Sequence, residues 1–142
     1  MSKLVKDNAP VQDGKFYLLS LSNGGVLSAV QDQWGPESVR IRVFENTHRQ
    51  WWKAEANNGG FGFRNRHTGK LLGSNENRDI AARADAVDAW ERFFLADTSD
   101  GTTFSVIFHG QKEYVFHRAE TDFLSISDQA SRATPLTVKE LE

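Results

Sequence analysis

Val39-Arg40-Ile41-Arg42-Val43, together with the Trp51 that stands ten residues beyond Ile41, is the stretch that decides the fold. Its period of two sends three aliphatic side chains to one face and two arginines to the other, the pattern of a half-buried strand. The same ten-residue interval separates Ile80 from Trp90 and Ile126 from Leu136. Three copies of one unit of about forty residues follow, each too small to bury its apolar face alone.

Alternation continues outward from that stretch. Phe61 and Phe63 lead into Arg64 and Arg66, and Phe104, Val106 and Phe108 alternate with Ser105 and His109. Turn residues that tolerate positive φ mark the breaks: Asn23-Gly24-Gly25, Asn57-Asn58-Gly59-Gly60, Thr68-Gly69 and Asp100-Gly101. Four strands per copy result, at 15–21, 25–31, 39–45 and 51–55, then 60–66, 70–74, 79–84 and 91–97, then 103–109, 112–118, 122–127 and 135–140. Twelve short strands imply a closed all-β body. Alternation lapses over Glu45 to Gln50, Arg83 to Phe94 and Asp128 to Thr134, and Asp88 stands three before Glu91 as in a helix-capping box. These three segments are expected to link the third and fourth strand of each copy, with a short helical turn near Asp88.

The chain of 142 residues fits one domain, read as a tail over 1–13 and a single body over 14–142. Four Trp, two Tyr and ten Phe supply large side chains for its core. The lack of cysteine removes every disulfide and thiolate site. Seventeen Lys and Arg against nineteen Asp and Glu are too balanced for a nucleic-acid footprint. Met1 to Gly14 carries no apolar signal core, and no run reaches the ~18 apolar residues of a membrane helix. No nucleic acid, no membrane and a cytoplasmic location are the expectations.

Phe63-Arg64-Asn65, then Thr68-Gly69-Lys70-Leu71-Leu72-Gly73, then Ala89-Trp90-Glu91-Arg92-Phe93 resemble the fascin-type β-trefoil repeat. The second unit carries the likeness best. The first keeps Gly25-Val26-Leu27-Ser28 and Trp51-Trp52, and the third has Pro135-Leu136 where Trp90 would fall. The resemblance implies an all-β trefoil of twelve strands in three pseudo-symmetric repeats. It implies no single task, because trefoils serve as actin crosslinkers, lectins, cytokines and protease inhibitors. Gln50-Trp51-Trp52 also resembles the Gln-x-Trp signature of ricin-like lectins, in one copy only. At least one of these tryptophans is read as a core anchor rather than a sugar platform.

The candidate binding residues are those that break the threefold pattern. Trp34 lies in a turn-rich insertion, Asp32-Gln33-Trp34-Gly35-Pro36-Glu37, with Gln33 among its polar companions. Arg64, Arg66, His67 and Lys70 form the densest positive cluster, fit for an acidic sugar, phosphate or carboxylate, with Asn75 near enough to add an amide. His48, His67, His109 and His117 show no metal-ligand spacing, so no metal and no cofactor are expected. Gly69-Lys70-Leu71 departs from the phosphate-cradling loop, and no Gly-x-Ser-x-Gly elbow exists.

These observations point to a noncatalytic module that recognises a carbohydrate or a polypeptide through its loops. The first alternative is a small enzyme using acid/base or cyclisation chemistry in a trefoil pocket, with His117 and either Glu113 or Glu120 as a pair. The second is a protease inhibitor acting through the loop that Pro36 stiffens.

Overall fold

The computed structural model describes residues 4–7, 10–33 and 35–141, with backbone alone at 4–7, 36 and 37. Its strands are β1 Leu4–Asp7, β2 Phe16–Ser20, β3 Val26–Asp32, β4 Gly35–Arg42, β5 Trp52–Asn57, β6 Gly60–Asn65 and β7 Leu71–Ser74. The remainder are β8 Ile80–Ala84, β9 Phe94–Thr98, β10 Gly101–Phe108, β11 Gln111–His117, β12 Leu124–Ser127 and β13 Thr137–Leu141. The twelve expected strands correspond to β2 through β13. The thirteenth, β1, falls within the stretch read as a tail and pairs antiparallel with β13, Leu4 opposite Leu141.

All pairings between named strands are antiparallel, mostly between chain neighbours, and the exceptions close the body. In each copy the fourth strand returns to the first. Tyr17 faces Trp52, Phe61 bridges Phe93, and Thr102 bridges Leu136. Trp52, Phe93 and Leu136 are therefore the equivalent core anchors, and all three are fully buried. The ten-residue interval carries the period but not this equivalence. Trp51 sits in a side cluster with Phe16, Leu18, Val26 and Leu141, while Trp90 is only partly buried against the main core.

Close approach of backbones explains two glycines. A Cβ on Gly60 would lie 2.7 Å from the Phe93 carbonyl oxygen, and one on Gly101 would lie 2.7 Å from that of Leu136. Only hydrogen fits where first and fourth strands meet.

The links between third and fourth strands each contain a single 3-10 turn, at His48–Gln50, Ala89–Glu91 and Ala130–Arg132. Their starts are forty-one residues apart in both intervals. Two readings of the first copy need correction. Its third strand ends at Arg42, so Val43 does not point inward but is 75% exposed, with Phe44 51% exposed beside it. The stretch taken as a turn-rich insertion is mostly strand, because Gly35 to Arg42 pairs with β3, with Gly35 opposite Asp32. Pro36, read as stiffening a loop, falls within this strand.

Candidate functional site

Three β-hairpins, β3–β4, β7–β8 and β11–β12, meet at one end of the body. Ser38 faces Ala81 and Asp79 bridges Ser125. The Ile41 N–H donates to the Asp122 carbonyl at 2.8 Å, and the Ile126 N–H to that of Arg78 at 2.9 Å. Edge strands must satisfy their free N–H and C=O groups, and here each hairpin does so on the next.

Ionic contacts fasten the same junction. Arg40 donates to Asp32 at 2.9 Å and to Asp122 at 2.8 Å, and Arg42 reaches the other Asp122 oxygen at 2.9 Å. Arg118 lies 3.5 Å from Asp79. Arg78 grips Glu113 with two donors, at 3.0 and 3.2 Å. The Glu113 side chain is 1% exposed and that of Arg78 56% exposed, so the carboxylate is the desolvated member of the pair.

Between the hairpins lies a groove of about 520 Å³. Val39, Ile80 and Phe123 give it apolar surface, and Ser38, Asn75, Asn77, Asp79, Arg83 and Arg118 give it hydroxyl, amide, carboxylate and guanidinium groups. The Arg40 guanidinium stacks 4.0 Å from the Phe123 ring centroid and fixes that ring. Asn75 Oδ1 accepts the N–H groups of Asn77 and Asp79, at 2.9 and 3.0 Å, so the amide shapes its own turn and keeps its NH2 as a donor. Asp79 accepts from Ser125 Oγ at 2.9 Å. Such a lining can hold a small polar molecule that also has an apolar face.

Among the residues singled out from the sequence, Asn75 lines this groove. Gln33 is exposed in the β3–β4 turn, and Trp34 lies outside the described residues. The basic cluster separates into two kinds of residue. Arg64 is held by both oxygens of Glu55, at 2.5 and 3.0 Å, and by the carbonyls of Gly69 and Asp85. That bond lowers the Glu55 carboxyl and raises the Arg64 guanidinium from their ordinary values. Lys70 pairs with Asp85 at 2.6 Å and lowers its carboxyl. Arg66 stacks on aromatic rings instead, and His67 is exposed in the β6–β7 turn.

Other expected sites resolve in the same way. Gln50 is buried, accepts the N–H groups of Glu45 and Asn46, and donates to Ser28 Oγ and the Val43 carbonyl. Trp52 is buried and donates Nε1–H to the Leu27 carbonyl at 3.0 Å. Both halves of the Gln-x-Trp signature are buried and bonded within the chain itself. The pairing of His117 with Glu113 is not assembled: His117 Nε2 lies 2.6 Å from the Thr121 carbonyl, while Glu113 belongs to Arg78. Among the described residues no group of three His, Asp or Glu is placed to hold a metal ion.

Asp79, Arg83, Arg118, Phe123 and Ser38 were missed because they come from three separate repeats. One signal would have found part of the set. Ser38 and Asp79, and likewise Val39 and Ile80, share the forty-one-residue offset of the 3-10 turns.

No protein-family model and no curated protein matches this chain. Solved structures do. A ricin B-like lectin of Macrolepiota procera, determined in complex with lactose, aligns at a TM-score of 0.73 and 10% identity over 92% of this chain and 98% of its own. The designed 3-fold symmetric protein ThreeFoil aligns at 0.67 and 13% identity over 87% and 97%. The GlcNAcα1-4Gal releasing endo-β-galactosidase of Clostridium perfringens aligns at 0.74 and 12% identity, over 90% of this chain but 33% of its own. Likeness of this kind shows the β-trefoil fold; it does not single out the fascin type within it.

Proposed function

We propose that this chain is a noncatalytic, carbohydrate-binding trefoil module whose ligand seats in the groove between the three hairpins. The observation that carries the reading is the composition of that groove: amide, hydroxyl and charged groups around Val39, Ile80 and Phe123 in about 520 Å³. A sugar presents hydroxyls on its rim and C–H groups on its faces, so this mixture matches it better than a purely apolar cavity would. The trefoil neighbours, one bound to lactose in its own structure, support the class. Gln33 and Trp34, which stand between β3 and β4 in the sequence, are kept in the proposal as ligand contacts beyond the groove.

A glycan array followed by calorimetry tests this. Binding is expected to weaken about tenfold, near 1.4 kcal/mol, in each of Phe123→Ala and Asn77→Ala. A blank array at millimolar glycan, or affinity untouched by both changes, overturns the proposal.

A polypeptide partner is the second reading, and one observation favours it. Val43 and Phe44 are the most exposed large apolar residues described, and Phe44 borders a smaller groove of about 250 Å³ with Leu18, Leu21 and Val26.

A further inference from the structure

The basic cluster expected on the β6–β7 hairpin is rebuilt by the fold into a different one. Glu55 and Asp85 neutralise Arg64 and Lys70, which removes half of it. Arg66 and His67 remain, and His48 from the first 3-10 turn joins them. The Arg66 N–H donates to the Trp51 carbonyl at 2.9 Å, and the buried Asn65 donates its side-chain amide to the Arg49 carbonyl at 2.9 Å. These bonds hold 48–51 against 65–67.

Trp51 is the floor on which the two segments converge. The Arg66 guanidinium lies 5.3 Å from its ring and 5.2 Å from that of Phe16, while the His48 ring meets the same indole edge-on at 5.2 Å. Phe16 and Trp51 contact each other at 5.9 Å. Among the described residues no carboxylate stands within ion-pair distance of Arg66, in contrast to Arg64 two positions away. Arg49 differs again, because it donates to the Ala29 carbonyl at 3.2 Å.

Stacking fixes the plane of a guanidinium without using its N–H donors. Arg66 therefore rests over the two rings with its N–H fork still available, and such a fork matches a planar carboxylate or two oxygens of a sulfate. His48, in contact with the same indole, adds an imidazole N–H donor, and the exposed His67 follows Arg66 in the chain. We infer that Arg66, set on Trp51 and Phe16 and flanked by His48 and His67, is a second binding site, selective for the oxyanion of an acidic sugar. A carboxylate of a uronic acid and a sulfate ester share the required chemistry. In naming a sugar as the carrier, the inference rests on the proposed carbohydrate function; the oxyanion preference rests on Arg66 alone.

The test is calorimetric titration with four probes: a uronic-acid disaccharide, a sulfated disaccharide, their neutral counterpart, and inorganic sulfate. Each is run on the native chain, Arg66→Gln, Arg66→Lys, Lys70→Gln, the groove variant Asn77→Ala, and the double variant of Arg66→Gln with Asn77→Ala. An acidic disaccharide should bind the native chain and Lys70→Gln alike, lose at least tenfold in Arg66→Gln, and recover only partly in Arg66→Lys, whose point charge has no fork. The loss should persist in the Asn77→Ala background, which separates this site from the groove. Equal binding by native chain and Arg66→Gln overturns the site, as does equal affinity for the neutral disaccharide. Inorganic sulfate matching both acidic sugars overturns the sugar as carrier, and loss of neutral-sugar binding in Asn77→Ala bears on the groove alone. Unchanged melting of the Arg66 variants verifies that they are folded, as expected for an exposed residue.

Discussion

Glu91 closes its 3-10 turn from a buried position, with Oε1 accepting the Asp88 N–H at 3.0 Å. Burial raises its carboxyl above the ordinary value of 4.5, the Asp88 N–H offsets part of that, and the Asp88 charge adds to the rise. The folded state therefore holds this proton to higher pH than the unfolded chain does. Stability from this group is present in full below about pH 4.5 and falls as pH rises through the folded value. Gln50 fills the same place in the first turn with an uncharged amide that accepts two N–H groups. Glu91→Gln is accordingly expected to unfold at higher denaturant than the native chain at pH 7 and to lose that advantage by pH 4, in urea titrations at both values. The correspondence of Gln50 with Glu91 was hidden in the sequence, where Gln50-Trp51-Trp52 reads as a lectin signature and Glu91 as a capping residue. Each reading follows its own neighbours, and the shared task shows only when both side chains are seen bonding back to the chain before them.

At the scale of elements, the hairpins were legible and their mutual contacts were not. Alternation and turn residues mark β7–β8 and β11–β12 because both signals are local. The Arg78 to Glu113 pair spans thirty-five residues and joins one hairpin to another, with no spacing that announces it. Arg78 also has a φ of +65°, a left-handed conformation held by the Ile126 N–H on its carbonyl. Removing its guanidinium strands a buried carboxylate, so Arg78→Met should cost about 2 kcal/mol in equilibrium unfolding. Adding Glu113→Leu to that variant should restore most of the loss, because an apolar partner needs no counter-charge. Failure of the double variant to recover would place the cost in the turn backbone instead. The third 3-10 turn lacks a buried closing residue: Arg132 lies exposed with its guanidinium 4.2 Å from the Phe116 ring centroid. That is the structural face of the degeneracy visible in the third copy.

At the scale of the whole molecule, one apolar cluster draws on all three copies, from Tyr17 and Trp52 through Phe63 and Phe93 to Phe104 and Leu136. A core shared in this way predicts loss of all three copies together. Trp52→Ala should cost about 4 kcal/mol, and tryptophan fluorescence and far-ultraviolet circular dichroism should report coincident transitions. Separate transitions would show that the copies unfold independently. The all-β class, a period of about forty residues and the presence of strands β2 to β13 follow from the sequence by itself, because alternation, turn chemistry and repetition are properties of neighbours along the chain. The extra strand at Leu4–Asp7, the anchoring role of Trp52, Phe93 and Leu136, and the groove were decided by tertiary structure. So was the division of the basic cluster into Arg64 and Lys70, neutralised by Glu55 and Asp85, and Arg66, set on aromatic rings. Strand alternation assigns a side chain to a face, but the charge or ring it meets there arrives from a strand elsewhere in the chain, and only closure of the body brings the two together.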